Sequence, residues 1–221
     1  GALTVDTGLT WSGGVMSGPG LTTVGPASGF TLSGNTILSV RSFDNQSTTA
    51  QWTGSGTLQL DGSTFTNTGT LTATGDGTLT RNNTATFANN GLFVKNGGTG
   101  TTTFTDNLLT FNNAGTVRVT TGTLNIGSNF NNTGVADVAA NQLLIINGNG
   151  TGAGRYTLAA GSAVNLNGGT QTLDTTGGTP GISGAGVFNV AGGTLTVATG
   201  LHAGNLALSS GTINGGGALT V

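Results

Sequence analysis

Short segments in which apolar and polar residues alternate recur along most of the chain. They include Thr70-Leu71-Thr72-Ala73, Thr116-Val117-Arg118-Val119 and Val135-Ala136-Asp137-Val138. A period of two residues is the pattern of a strand with one buried and one solvated side. Further short strands are predicted where Gly-Thr-Leu starts an alternating run, at 56–60, 77–80 and 122–126. Because no segment shows a helical period, we expect nearly all-β structure.

A motif of the form Phe-x-Asn-x-(Gly/Ser) precedes many of these strands. Its copies begin at Phe43, Phe65, Phe87, Phe111 and Phe130, at spacings of 22, 22, 24 and 19 residues. A repeat of this length is typical of solenoid proteins, in which each repeat buries its apolar side against the next. The chain is therefore predicted to be all-β: a single-stranded, right-handed parallel β-helix of about ten coils of roughly 19–24 residues. At ~4.8 Å per layer, ten coils would form a rod about 48 Å long.

Each position of the motif has an expected structural role. The phenylalanine should point inward, so that the rings of successive coils form one column. The asparagine should lie at a bend that favours a left-handed conformation, where stacked amides can hydrogen-bond to each other. The glycine should supply a positive φ at the turn into the next strand. The structural repeat positions assigned in this way are Phe43, Asn45, Phe65, Asn67, Gly69, Phe87, Asn89, Gly91, Phe111, Asn113, Gly115, Phe130, Asn132 and Gly134.

A second repeated unit, apolar-(Ser/Asn)-Gly-x-Gly-x-x-(Thr/Asn)-Val, begins at Met16, Ile182 and Ile213. It predicts a strand end, a tight glycine turn and a new strand. The last five residues of the chain repeat the first five, and the chain starts without Met. We therefore expect residues 1–221 to be one β-solenoid domain, excised from a longer array and uncapped at both ends. The stretch 147–181 is expected to be looser than the coils of 41–146.

The composition is polar but almost uncharged. Charged residues make up 5% of the chain, the net charge is −2, and 43 of the 221 residues are Gly. So small a net charge argues against a self-repelling disordered chain. The chain has no cluster of basic residues, so we expect no surface that binds nucleic acid. No apolar run approaches the ~18 residues of a membrane helix, so we expect no membrane insertion by this segment.

No residue stands out as catalytic, cofactor-binding or metal-binding, and we expect a non-enzymatic protein without a cofactor. The seven Asp residues are scattered, whereas glycoside cleavage requires two carboxyl groups facing one bond. Asp61 and Arg81 lie about one coil apart and are expected to pair only as a solvated ion pair. His202 is the single histidine and has no second ligand nearby. The glycines from Gly148 to Gly154 precede no helical pattern, so they predict a turn and not a phosphate-binding loop.

Threonine is abundant, as in Thr101-Thr102-Thr103 and Thr194-Leu195-Thr196. Ranks of outward threonines on one side of a solenoid would be suited to binding ice. However, Thr-x-Thr pairs do not recur at one offset from the phenylalanines of the motif, and threonine is also a good uncharged residue for a solvated strand. Ice binding therefore stays a minor alternative.

The Phe-x-Asn-x-Gly-Thr-(Leu/Val) repeats with intervening Gly-Thr-Leu strands resemble the β-helical shafts of large bacterial surface adhesins. These are the filamentous-haemagglutinin-like proteins and the passengers of autotransporters, and the resemblance covers about residues 30–221. It implies an extracellular or cell-surface location and a structural or adhesive role, with glycans or matrix as partners. The uncapped ends favour end-to-end self-association into a fibre. A polysaccharide-binding or polysaccharide-cleaving β-helix is the other alternative.

Overall fold

Residues 1–175 and 181–221 are described by a computed structural model, and in them the chain forms 32 short strands and no helix. Every registered strand pair is parallel and joins strands that lie three places apart along the chain. One turn of the chain, here called a coil, thus contributes one strand to each of three faces. The result is a parallel β-solenoid of about ten coils, which confirms the predicted fold class. Its handedness stays a prediction.

Face A carries the phenylalanine and asparagine positions of the motif. Its ladder has seven strands up to β19 and four from β22 onward, and the Phe130 N–H bonds to the Asn149 carbonyl oxygen at 2.7 Å where the two ladders meet. The strands are β1 (Leu3–Val5), β4 (Leu21–Val24), β7 (Ser42–Asn45), β10 (Thr64–Asn67), β13 (Ala85–Asn89), β16 (Leu109–Asn113), β19 (Asn129–Asn132), β22 (Gly150–Gly152), β25 (Thr170–Leu173), β28 (Thr194–Val197) and β31 (Thr212–Asn214).

Faces B and C complete each coil. Face B consists of β2 (Gly8–Trp11), β5 (Gly29–Leu32), β8 (Ala50–Trp52), β11 (Thr70–Ala73), β14 (Leu92–Lys95), β17 (Thr116–Val119), β20 (Val135–Val138), β23 (Arg155–Leu158), β26 (Ile182–Gly184), β29 (Gly200–His202) and β32 (Ala218–Thr220). Face C consists of β3 (Gly14–Ser17), β6 (Thr36–Ser39), β9 (Thr57–Asp61), β12 (Thr78–Arg81), β15 (Thr101–Phe104), β18 (Thr123–Ile126), β21 (Leu143–Ile146), β24 (Ala163–Leu166), β27 (Val187–Val190) and β30 (Leu206–Leu208).

The core is the narrow interior enclosed by the three faces. Alternation sends one residue inward and the next outward, so Phe65 of face A, Leu71 of face B and Leu79 of face C are all fully buried. These side chains meet in the middle of one coil and pack against the coils above and below. Neighbouring coils therefore supply the burial that no single coil could provide.

The structure corrects two expectations about the coils. The Phe-x-Asn segment, whose asparagine was expected at a bend, is itself a strand, so each coil has three strands. The stretch from 147 to 175 contains strands β22 to β25, so the prediction of a looser region is wrong there; its one irregularity is the break in the face A ladder before β22. Residues 176–180 lie outside the described residues.

The motif glycines are required for a reason other than the predicted one. Gly69, Gly91, Gly115 and Gly134 do not have a positive φ, and neither do the asparagines of the motif. A Cβ atom at each of these glycines would overlap the main-chain carbonyl oxygen of the corresponding residue one coil below. For Gly91 that residue is Gly69, and for Gly115 it is Gly91. Glycine is needed because the main chains of successive coils approach too closely for any side chain. The prediction of a left-handed turn at these positions is therefore wrong.

This close approach makes alanine costly at a motif glycine. Gly91→Ala should lower the free energy of unfolding by about 3 kcal/mol, since the coil must shift to admit the methyl group. Gly29→Ala is the matched control, because a Cβ there meets nothing within 4 Å and φ is not positive. It should change stability by no more than about 1 kcal/mol. Urea denaturation measures both, and equal losses would contradict this explanation of the motif.

Candidate functional site

The inward residues of face A include the phenylalanines of the motif in a single file. One-to-one register places them directly above each other in the order Phe43, Phe65, Phe87, Phe111 and Phe130, and all are fully buried. The rings are stacked as far as Phe87, with centroids 4.8 and 5.5 Å apart, and meet edge to face beyond it at 5.0 and 5.3 Å. The geometry changes where Phe93 and Phe104 from faces B and C pack edge-on against Phe87.

Beside this file runs a ladder of buried amides. The Nδ2 group of each asparagine donates to the Oδ1 atom of the next, at 2.7, 2.7, 2.7 and 2.8 Å, from Asn45 through Asn67, Asn89 and Asn113 to Asn132. Each amide also bonds to a main-chain carbonyl one coil up, as Asn89 does with Thr116 at 2.9 Å. Both ends of the amide are thus satisfied inside the protein, as a buried polar group requires.

The file and the ladder end together above β19. In the next coil, Gly150 and Gly152 of β22 take the inward positions, and Asn132 donates instead to the Arg155 carbonyl at 3.4 Å. Tyr156 of face B enters the interior at this level and packs edge-on against Phe188, 5.2 Å away. Burial raises the pKa of the Tyr156 hydroxyl well above its usual range, and the nearby Asn132 amide offsets only part of this effect.

The outward residues of face A form two columns of neutral polar side chains, which we call the Thr/Asn array. From β10 to β31 every outward position is threonine or asparagine, except Ala88. The first column is Thr64, Thr86, Thr110, Asn129, Asn149, Thr170, Thr194 and Thr212. The second is Thr66, Ala88, Asn112, Asn131, Thr151, Thr172, Thr196 and Asn214.

The expectation that Thr-x-Thr pairs do not recur at one offset from the phenylalanines is confirmed, because only Thr64 and Thr66 form such a pair in the strands of the motif. The array nevertheless has a regularity that the sequence does not show: Thr64 and Thr66 flank Phe65 on face A, and in the later coils Thr194 and Thr196 flank Leu195 on the same face. The sequence hides this regularity for two reasons. Asparagine replaces threonine in several coils, and the phenylalanine that marks the position is absent after β19.

Most threonine hydroxyl groups of the array have no hydrogen-bond partner in residues 1–175 and 181–221. Hydrogen bonds link Asn131 to Asn112 at 2.9 Å and Thr196 to Asn214 at 2.7 Å. The other threonine hydroxyls of the array make none with the described residues. Between β16 and β25 the face is slightly concave, with a groove lined by Thr110, Asn129, Asn131, Asn149, Gly150, Thr151, Thr170 and Thr172. Most threonine hydroxyls of the array are thus free to bond to water or to a ligand. Its asparagine amides are partly engaged, since Asn129 donates to the Asn107 carbonyl oxygen, and Asn131 and Asn149 accept from the Thr151 and Thr170 N–H groups.

The outward surfaces of faces B and C are less uniform. Face B combines the apolar Leu92 and Val135 with an ion pair between Arg118 and Asp137 at 2.8 Å. Face C exposes apolar side chains, among them Val15, which is 59% exposed. The Thr/Asn array of face A is therefore the candidate functional surface.

The expected pairing of Asp61 with Arg81 is wrong. Arg81 bonds to Asp106 one coil further up, with 2.7 Å between Nε and Oδ1, and Asp61 accepts from Ser39 and Asn83. The difference arises because Asp106 occupies a left-handed turn, with φ of 53°, and faces back toward Arg81. Burial acts to raise the pKa of the Asp106 carboxyl, but hydrogen bonds from the Leu108 amide and from Arg81 outweigh it, and the pKa lies below its usual value.

The remaining sequence candidates lie apart from one another. His202 is exposed on β29, and the glycines from Gly148 to Gly154 form β22 with its flanking turns and lead into another strand. In residues 1–175 and 181–221, no group of three or more His, Cys, Asp or Glu side chains could hold a metal ion. The same residues contain no helix able to span a membrane.

One buried charged residue was not among the residues singled out from the sequence. Lys95 takes an inward position of β14, between Ala73 below and Val119 above, and its side chain is fully buried. Its Nζ atom donates to the Gly75 carbonyl at 2.8 Å, to Asp76 Oδ1 at 2.6 Å and to the Gly97 carbonyl. Aligning the coils would have revealed this lysine, since the neighbouring coils place Ala73 and Val119 at the same position. The ion pair between Lys95 and Asp76 stabilises the turn between faces B and C.

Comparison of the chain with protein-family models, with curated proteins and with solved structures finds no match. Function is therefore inferred from the surfaces and buried contacts of this chain alone.

Breaking the ladder in its middle should destabilise the solenoid. Asn89→Leu removes the donor to Asn113 Oδ1 and the acceptor for Asn67 Nδ2, both of which are buried. We expect a loss of about 2–4 kcal/mol in the free energy of unfolding. The adjacent Asn90 is exposed, so Asn90→Leu should have an effect within about 0.5 kcal/mol. Urea denaturation of both variants decides the point, and an Asn89 variant as stable as the wild type would refute the ladder's role.

The buried lysine predicts an asymmetric response to mutation. Asp76→Ala leaves an ammonium group in the interior without its counter-ion and should cost about 3–5 kcal/mol. Lys95→Met should cost less than about 1 kcal/mol or stabilise, because the Asp76 side chain is 35% exposed and can be hydrated. Thermal or urea unfolding measures both variants. A larger loss for Lys95→Met than for Asp76→Ala would contradict this account.

Proposed function

We propose that this chain is a structural and adhesive β-solenoid module of an extracellular or cell-surface fibrous protein of bacteria, and that it is not an enzyme. The observation that carries the proposal is the buried interior. One phenylalanine file and one amide ladder tie the five coils from β7 to β19 together, and buried apolar side chains continue the stack on both sides of them. Such a stack is extended and resists bending, because deforming it separates buried rings and amides. These are the properties that a stalk requires.

The exterior supports the adhesive part of the proposal. Face A offers rows of neutral hydroxyl and amide groups at equal intervals. Single contacts of this kind are weak, but repetition along a rod and across many copies would give useful avidity. Glycans and matrix components are the proposed partners, and end-to-end self-association remains a second proposed contact.

The surroundings of the carboxylates support the non-enzymatic part. Cleavage of a glycosidic bond requires two carboxyl groups about 5–9.5 Å apart on opposite sides of one bond. In this chain Asp76, Asp106 and Asp137 are each paired with a different lysine or arginine, and Asp61 is held by Ser39 and Asn83. The three ion pairs lie on different coils. Each of these four carboxylates is held by a structural contact.

The cellular location can be tested with antibodies raised against the folded module. Intact cells of the source organism should bind the antibody and should lose the signal after brief treatment with an external protease. A cytoplasmic marker serves as the control and should be detected only after lysis. If the module is likewise detected only in lysed cells, the proposal of a surface protein fails.

The adhesive role is tested separately on a panel of immobilised glycans and matrix proteins. Beads that carry many copies of the module should be retained much better than the free module, as expected for weak multivalent contacts. Reducing ends are measured in the same incubations and should not increase. A steady release of reducing ends that is lost in an Asp→Asn variant would show an enzyme instead.

A further inference from the structure

The Thr/Asn array repeats at two fixed distances. Successive coils are about 4.8 Å apart along the axis, and alternate residues of one strand are about 6.7 Å apart. One-to-one register holds from Thr64 to Asn129 and again from Thr170 to Thr212. Over eight strands, from β10 to β31, the array is about 34 Å long. It is therefore a two-dimensional lattice of hydrogen-bonding groups.

The lattice is held rigid from behind. From β10 to β19 the strands that carry the array outward also carry the phenylalanine file and the amide ladder inward. In β25 and β28 the residues behind the array are the buried Gln171, Leu173, Leu195 and Val197. Sheets that stay flat over many strands are typically stabilised by such side-chain ladders. Threonine adds stiffness of its own, because its β-branched side chain has few rotamers. The outward groups are thus fixed in place before any ligand arrives, and ordering them on binding costs little.

The chemistry of the array is suited to water. From β10 to β31 no outward residue of face A is charged. Each threonine presents a methyl group beside a hydroxyl group, and most of these hydroxyls have no partner in the described residues. A regular and uncharged surface of this kind can hold a layer of water molecules in fixed positions.

The same face lacks the groups that tight sugar binding usually uses, so contacts with glycans there would be weak ones of the multivalent kind described above. All nine phenylalanines, both tryptophans and the single tyrosine are buried, so the surface has no aromatic ring on which a sugar could stack. Lysine, arginine and aspartate are absent from the array, so it has no groups for acidic saccharides. Ordered water is the ligand that these observations favour.

We propose that the Thr/Asn array is an ice-binding surface. Its regular hydroxyl and amide groups hydrogen-bond to the ordered oxygen atoms of an ice crystal, and the threonine methyl groups fill the spaces between them. Each contact is weak, but many form at once because both partners are rigid lattices. The proposal concerns face A alone and does not depend on the cellular role proposed above.

The test is partitioning of the purified protein into a slowly growing ice hemisphere, together with the shape of single ice crystals in its presence. The wild type should be incorporated into the ice and should facet the crystals. Thr110→Tyr and Thr172→Tyr each place a bulky ring on the array and should abolish both effects. Thr72→Tyr is the matched control, because Thr72 is an outward, half-buried position in the middle of a face B strand, and it should behave as the wild type.

Circular dichroism and thermal melting establish that each variant is folded, and two array variants are used so that one failure to fold does not decide the result. Exclusion of the wild type from ice would overturn the proposal. Equal loss of activity in Thr72→Tyr and in the folded array variants would also overturn it, because face A would then have no special role. Binding of a neutral glycan through Thr110 and Thr172, without incorporation into ice, would assign the array to a saccharide instead.

Discussion

Hydrogen bonds between buried asparagine amides are the interaction on which the five central coils of this solenoid, from β7 to β19, depend. An amide can donate and accept at the same time, so a column of asparagines satisfies itself only if every coil contributes one at the same position and the same height. The ladder from Asn45 to Asn132 meets this condition with bonds of 2.7–2.8 Å. A shift of one coil by a single residue would replace an amide by an outward side chain and leave its neighbours unpaired in the core. The ladder therefore fixes the register that the apolar residues alone would specify less strictly.

This constraint determines both sides of face A. Inside, it aligns the phenylalanine rings of β7 to β19, and the main chains approach so closely at the next turn that a side chain at Gly69, Gly91, Gly115 or Gly134 would overlap the coil below. Outside, it aligns the residues of β10 to β19 that begin the Thr/Asn array. The stiffness suited to a stalk and the regularity suited to binding a lattice arise from the same strands. A module of this kind could serve both as a spacer and as a surface for weak contacts.

Much of the architecture could be predicted from the sequence because the repeated motif shows which residues of successive coils lie above each other. The spacing of Phe43, Phe65 and Phe87 identifies the coil, and alternation identifies the strands. The role of Gly91 could not be predicted. A side chain is excluded there by the close contact between the main chains of two coils, and the residues around Gly91 in the sequence do not indicate that contact. The partner of Arg81 depended on the direction of its side chain, which spacing does not give.

The candidate surface was harder to predict than the fold. Its pattern spans coils in which the phenylalanine of the motif is missing, so only the strand register in the structure reveals that Thr172 and Thr196 continue the columns begun by Thr66. Lys95 was missed for a related reason. A lysine in an alternating run is read as solvated unless the coils are aligned, and alignment shows it in a column with Ala73 and Val119.

The most direct test of this account is hydrogen exchange of the asparagine side-chain amides, followed by NMR. If the ladder ties the coils together, the Nδ2 protons of Asn67, Asn89 and Asn113 should exchange about as slowly as the backbone amides of the strands that carry them, since both require the same opening. The exposed Nδ2 group of Asn90 should exchange at the rate of a free amide. Rapid exchange at Asn67, Asn89 and Asn113, equal to that of Asn90, would show that the ladder does not exist in solution.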